Sequence, residues 1–183
     1  LVTTPEMVAL VDSVNAGIEL QSKHFTEIQA LVEKIGYSED EGLRGSLRSA
    51  VQSAEEKVNA ANLDSLTVKI LMMRRHEKDF IIRGEEKYIG RLQDRVTEFG
   101  GMLSDSNLSA GDQQQISGLI EGYKSRFDEF AQSKVELNNL TATLDADFEN
   151  LLPTVGSLAT EAEEGAAAAV AQLNSVNQLV LIV

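Results

Sequence analysis

The sequence contains no cysteine, and only two of its 183 residues are histidine. Without cysteine the chain has neither disulfide bonds nor thiolate metal sites. His24 and His76 lie far apart in the sequence and belong to no motif with the spacing of metal ligands. We therefore expect neither a metal centre nor a cofactor.

Proline and aromatic residues are also scarce. There are two prolines, three tyrosines, six phenylalanines and no tryptophan, while alanine, leucine, glutamate, glutamine and serine are abundant. This composition is typical of long helices with slim cores, because it favours helix formation and supplies few bulky β-formers. It predicts an all-α fold.

Positive charge is scarce overall but locally concentrated. The net charge of -13 argues against nucleic acid or an anionic membrane surface as the main partner, because phosphate groups would be repelled. The segment from Lys69 to Arg95 is the exception, with eight Lys or Arg residues against five Asp or Glu. The rest of the chain therefore carries a net charge of -16.

A heptad stripe defines the first helix. Apolar residues alternate at spacings of four and three from Met7 to Ile35, and Gln21 is the only polar residue among them. Such a period of 3.5 residues keeps one helix seam facing its partners in a left-handed bundle. Thr4 is the expected N-cap, with Pro5 at the first helical position.

A second stripe defines the last helix, predicted over about 111–179 after caps at Ser109 and Asp112. The stripe extends from Ile116 to Ala169, and its only polar members are Lys134 and Thr141. Pro153 lies off the stripe and should kink the helix rather than end it. This helix is longer than any other in the chain.

Turn signals divide the middle into three shorter helices. We predict a capping box at Ser38 and Glu41, a helix over about 41–62, a third helix from near Leu66, and a fourth over about 86–106. Matching the total lengths of the ascending and descending helices favours an elongated antiparallel bundle of four-helix type, with a possible second stacked module. In it, the third helix continues across Gly84 into the fourth. The membrane-proximal part would consist of residues 1–65 and 135–180, and the thinner remainder would need a second copy, so we predict a homodimer.

The segment Met72–Gly84 is the most specific local feature. Arg74 and Glu77 would lie at the edge of the core, and Asp79 could pair with basic residues one turn away on either side. One interpretation is a salt-bridge ladder that fixes helix register. The other is an arginine-lined cavity that binds a small carboxylate, with Arg74 and Arg83 as candidate ligand-binding residues.

Further candidates lie outside that segment. Arg44 and Arg48 form a basic i,i+4 pair, which is unfavourable unless an anion or the acids of the preceding turn neutralise it. Lys134, on the core stripe, either extends to water or faces a polar cavity. No phosphate-binding glycine loop, nucleophile elbow or His-Glu-x-x-His motif is present, so we do not expect an enzyme.

The C-terminal residues Leu179–Val183 are wholly apolar. Five residues do not form a complete membrane span, but they could be the first residues of one. They could instead be a helix end packed on a neighbour or a remnant of cloning.

Two motifs carry a resemblance to a known family. The segments Gly42–Arg48 and Arg74–Phe80, with Arg83-Gly84 and Lys87-Tyr88 after them, resemble the extracytoplasmic sensor regions of bacterial methyl-accepting chemotaxis proteins. The helical bimodular type, with two stacked bundles between two membrane spans, is most similar. The chain is short for two complete four-helix modules.

The resemblance implies a periplasmic, ligand-binding domain of an inner-membrane receptor that senses a small organic acid. Two alternatives remain. The domain could belong to a histidine kinase of similar build, or the chain could be a structural coiled-coil or adaptor protein that binds no small ligand.

Overall fold

The computed structural model describes residues 4–180, and the side chains of residues 4–177. That part of the chain forms five α-helices and no strand. The helices are α1 (Pro5–Ile35), α2 (Gly42–Ala60), α3 (Asp64–Arg83), α4 (Lys87–Ser104) and α5 (Ala110–Val180). The predicted all-α helical bundle with a long C-terminal helix is confirmed.

The helix caps agree with the sequence at both long helices. The backbone N–H of Met7 donates to Thr4 Oγ1 at 3.0 Å, and that of Asp112 donates to Ser109 Oγ at 3.2 Å. These bonds satisfy N–H groups that have no partner within the helix. Pro153 lies inside α5 and does not end it, as predicted.

The start of α2 agrees with the prediction of about residue 41, but the predicted caps of the middle helices differ from the structure. The expected capping box does not form, because the N-cap residue of α2 is Glu41 and its side chain makes no capping bond. Ser38 Oγ instead accepts a weak bond from the backbone N–H of Asp40. The third helix begins at Asp64, two residues before the predicted start near Leu66.

The predicted continuation of the third helix across Gly84 was also wrong. Gly84 adopts a left-handed conformation (φ 68°), and its N–H closes α3 by donating to the carbonyl of Phe80 at 2.8 Å. Lys69, near the start of α3, pairs with Glu98, near the end of α4. This pair shows that the two helices are antiparallel. The left-handed glycine ends α3 and lets the chain reverse.

The chain divides into two compact units. One, residues 29–139, contains α2, α3, α4, the first part of α5 and the end of α1. Phe80 contacts Phe127 and Phe130 edge to face in its core, at ring-centroid distances of 5.8 and 6.3 Å. Residues 86–106, expected in the thinner part of the bundle, lie in this four-helix unit.

The other unit comprises the described residues within 1–28 and 140–183. It is an antiparallel helix pair, in which Gly17 lies against Leu151 and His24 Nδ1 is 2.7 Å from Asp147 Oδ2. Apolar side chains of this pair remain half exposed, including Phe25 (53%) and Phe148 (56%). The predicted membrane-proximal part, residues 1–65 and 135–180, coincides with neither unit and stays a prediction.

None of the helices in the described part of the chain has both the length and the hydropathy needed to cross a bilayer. The run Leu179–Val183 lies outside the residues whose side chains the structure describes. Its interpretation as the start of a membrane span stays a prediction.

Candidate functional site

A tight turn between α1 and α2 positions the first basic residues of the site. Gly36 (φ 100°) and Gly42 (φ 53°) have left-handed backbones, which other residues adopt only with strain. A Cβ atom on Gly45 would lie 2.3 Å from the carbonyl oxygen of Asp40. These glycines let the turn fold back on the first turn of α2, beside Arg44 and Arg48.

A cavity of about 280 Å³ opens next to this turn, between α2, α3 and one residue of α5. Four cations, two carboxylates, one amide and four apolar side chains line it. They are Arg44, Arg48, Arg74 and Lys78; Glu39 and Glu77; Gln52; and Leu47, Val51, Ile81 and Phe130. The structure thus brings together three of the five candidate residues, from two helices.

Arg44 and Arg48 differ in their partners. Arg48 Nη1 is 2.8 Å from both Glu39 Oε1 and Asp40 Oδ1, so the acids of the preceding turn neutralise it as one interpretation expected. Arg44 is half-buried, and no acidic side chain of the described residues lies within 4.0 Å of its guanidinium. Arg44 is thus the cation of this cavity with free pairing capacity.

Arg74 is held by α2. Its Nη1 lies 2.9 and 3.1 Å from the two carboxylate oxygens of Glu55. This hydrogen bond raises the pKa of Arg74, which stays charged. Glu77, three residues after Arg74 on α3, is not the residue that binds it.

Glu77 is buried at the cavity wall, with 3% of its surface exposed. The hydroxyl of Tyr123 donates to Glu77 Oε2 at 2.8 Å, and Lys78 Nζ lies 3.3 Å from Oε1. Burial, followed by the charge of Glu77, raises the pKa of Tyr123 well above its ordinary value, so its phenol keeps the proton. The sequence signal for this residue was a carboxylate on an apolar stripe.

The remaining two candidates lie elsewhere. Arg83 Nε is 3.7 Å from Asp79 Oδ1, and its Nη1 donates to the hydroxyl of Tyr88 at 3.0 Å. Lys134 is half-buried one helical turn after Phe130 and is not part of the cavity wall. Both stay predictions without a place in this cavity.

The sequence did not indicate every residue of the wall. Lys78 and Gln52 line the cavity, but each occupies an ordinary polar position of an amphipathic helix, which predicts no role in a site. Only the packing of α2 against α3 turns them toward the same space. The hydrophobic periodicity of the sequence therefore does not indicate that these two residues line the cavity.

The described residues contain no group of three or more His, Asp or Glu side chains arranged to hold a metal ion. The site offers arginine forks and apolar walls to a ligand, which suits an anion with a short carbon skeleton. No protein-family model, curated protein or solved structure matches this chain, so its family is not shown by comparison.

Proposed function

We propose that this chain is the periplasmic ligand-binding domain of a transmembrane chemoreceptor, and that it binds a small carboxylate in the cavity between α2 and α3. The observation that carries the proposal is Arg44, a half-buried cation without an acidic partner in a cavity that also has apolar walls. A ligand carboxylate would supply the missing charge.

The wall chemistry defines the ligand class. Arg44 can bind a carboxylate through two parallel hydrogen bonds, and Arg74 is fixed by Glu55 in a position to assist. Leu47, Val51 and Phe130 provide apolar contacts for a short carbon chain. The negative charge of Glu77 disfavours a second carboxylate placed deep in the cavity.

The signal would pass through α5. Phe130 lines the cavity, and α5 supplies residues to both compact units. A ligand that contacts Phe130 in only one position of the helix would shift the equilibrium toward that position, a movement of the shear type. The receptor would be a homodimer anchored in the inner membrane, with α5 leading to its second span.

Isothermal titration against a panel of small mono- and dicarboxylates tests the binding step. One member of the panel should bind the wild-type chain, and Arg44→Ala should lose most of that affinity. Arg126→Ala removes the same charge from an exposed position of α5 and is the matched control. Saturation at about a hundred times Kd should add roughly 2.7 kcal/mol to the free energy of unfolding.

Absence of heat and of thermal stabilisation across the whole panel would overturn the carboxylate ligand. Equal losses in the two arginine variants would show that only net charge matters. A chemoreceptor and a histidine kinase predict the same result here. The output domain of such a receptor would distinguish the two functions.

A structural coiled-coil or adaptor function is a second candidate. It is favoured by Arg48 and Arg74, which already pair with Glu39, Asp40 and Glu55 and so need no ligand. Under this alternative, Arg74→Ala lowers the free energy of unfolding and no carboxylate stabilises the chain. The titration panel therefore separates the two functions.

A further inference from the structure

A second basic cluster lies on the α3–α4 hairpin and is not part of the cavity described above. At its centre the ring of Tyr88 is 3% exposed. The cationic groups of Arg83, Lys87 and Arg91 lie 5.8, 5.1 and 5.3 Å from the centroid of this ring. Each contact is favourable by itself, but three cations around one ring repel each other.

His76 is stacked on the same ring. Its centroid is 6.4 Å from that of Tyr88, with 28° between the ring planes. The buried Nδ1 atom of His76 has no hydrogen-bond partner, and neither has the buried Nε of Arg95. Buried polar atoms are almost always paired in folded proteins, so two unpaired ones in one cluster are unusual.

The acids of the hairpin do not neutralise this cluster. Asp79 is shared between Arg75 at 4.0 Å and Arg83 at 3.7 Å, while Glu98 is shared between Lys69 and Arg95. Glu85 pairs with Lys87. Arg91 is exposed, and the described residues place no carboxylate within 4.0 Å of it. An excess of positive charge therefore remains, in a chain with a net charge of -13.

We propose that the α3–α4 hairpin binds a tetrahedral dianion, such as a phosphate group or sulfate, between Arg91, Arg95 and Arg75 beside His76. Three guanidinium groups from two helices suit an anion with several oxygens, since each fork can engage a different pair. The bound dianion would lie beside Arg91, one of the three cations around Tyr88, and so reduce the repulsion between Arg91 and the other two. This site does not depend on the carboxylate cavity or on the chemoreceptor proposal.

Binding is coupled to a proton on His76. Burial first, and then the charges of Arg91, Arg95 and Arg75, lower the pKa of His76, while Asp79 acts in the opposite direction. A dianion offsets those three charges and so raises the pKa again. By linkage, the dianion binds more tightly at pH values where His76 can take up a proton.

NMR titration of the two histidine rings tests the proposal. Sulfate is the ligand to use, because it stays doubly charged across the pH range of histidine. At equal ionic strength, replacing chloride with sulfate should raise the pKa of His76 by about half a pH unit. The ring resonances of His24, which pairs with Asp147 in the other unit, are the internal control for effects of sulfate that are not local to the hairpin.

Variants locate the anion. Arg91→Ala should abolish the response of His76 to sulfate, whereas Arg126→Ala and Arg44→Ala should preserve it. Identical His76 curves in chloride and sulfate, or equal effects of Arg91→Ala and Arg126→Ala, would overturn the proposal. The response to Arg44→Ala separates this site from the carboxylate cavity, so either proposal can fail alone.

Inorganic phosphate and glycerol 3-phosphate distinguish two sources of the anion. If both shift the His76 resonance, the site accepts phosphoryl esters as well as the free ion. If inorganic phosphate alone acts, the ligand is the free oxyanion. Both results support the dianion site.

Discussion

Glu77 is buried where the apolar stripe of α3 would accommodate a hydrophobic side chain. A carboxylate in such a position is costly unless hydrogen bonds replace its lost hydration. Tyr123 provides one of these bonds, and Lys78 provides a nearby positive charge. The stability of the four-helix unit should therefore depend on a single phenol.

Tyr123→Phe removes that hydrogen bond while keeping the ring. We expect the free energy of unfolding to fall by about 2 kcal/mol, because the bond is made to a charged, buried acceptor. Urea denaturation measures it. Tyr37→Phe is the control, since Tyr37 is 72% exposed and its loss should change little. Equal effects of the two substitutions would contradict this account of Glu77.

His76 should make stability depend on pH. Its pKa lies below the ordinary value of 6.5 in the folded chain, chiefly because of burial. As the pH falls, the unfolded chain therefore takes up this proton at a higher pH than the folded chain does. The free energy of unfolding is consequently highest above about pH 6.5 and decreases below it. His76→Gln should flatten the stability profile in this window. Chemical denaturation at pH 7.5 and pH 5.5 gives the comparison, and an unchanged profile would refute the role of His76.

The turn and first helical turn that precede the cavity act as one element. Left-handed backbones at Gly36 and Gly42 reverse the chain, and Gly45 allows α2 to approach Asp40 closely. Arg44 and Arg48 follow directly on this element. The geometry of the cavity mouth therefore depends on three residues that carry no chemistry of their own.

Opposite results are expected for two glycine substitutions in helices. Gly45→Ala places a Cβ against backbone and should lower the free energy of unfolding by about 2 kcal/mol or more. Gly122→Ala meets nothing within 4 Å and should raise it by roughly 0.5–1 kcal/mol, through better helix propensity. Thermal unfolding distinguishes them. A stabilising Gly45→Ala would show that the turn is looser than described.

At the scale of the whole molecule, the two compact units differ in how completely their apolar side chains are buried. The unit of residues 29–139 buries all its phenylalanines and tyrosines except Tyr37, which lies in the turn before α2. In the helix pair, a groove of about 670 Å³ has Ile18, Phe25 and Phe148 in its walls, and these side chains are half exposed. Exposed apolar stripes on two heptad-patterned helices are the surface that a second helix pair would cover.

We therefore expect a dimer that depends on this pair. Phe148→Glu should shift the chain from dimer to monomer in sedimentation or light-scattering experiments, because it places a charge in the apolar contact. Ile82→Glu is the matched control, as Ile82 is 78% exposed in the other unit. A wild-type chain that stays monomeric at high concentration would contradict the predicted homodimer.

The sequence by itself determined the helices. Heptad spacing and scarce proline predicted long helices, the caps at Thr4 and Ser109 were identified correctly, and the apolar stripes named the buried side of α5, including Phe127 and Phe130. These are local properties, since capping and amphipathicity depend on residues within a few turns. The basic candidates were found the same way, as charges that interrupt a pattern.

Tertiary structure alone decided the direction of the chain after Gly84 and the composition of the cavity. A left-handed glycine ends a helix, but the residues around it do not specify whether the next helix continues or reverses. That choice depends on which apolar faces pack together, and the reversal placed Arg83 beside Tyr88 rather than in the cavity. Likewise, Arg74 bound Glu55 on another helix instead of Glu77 on its own, because packing brought the distant carboxylate closer.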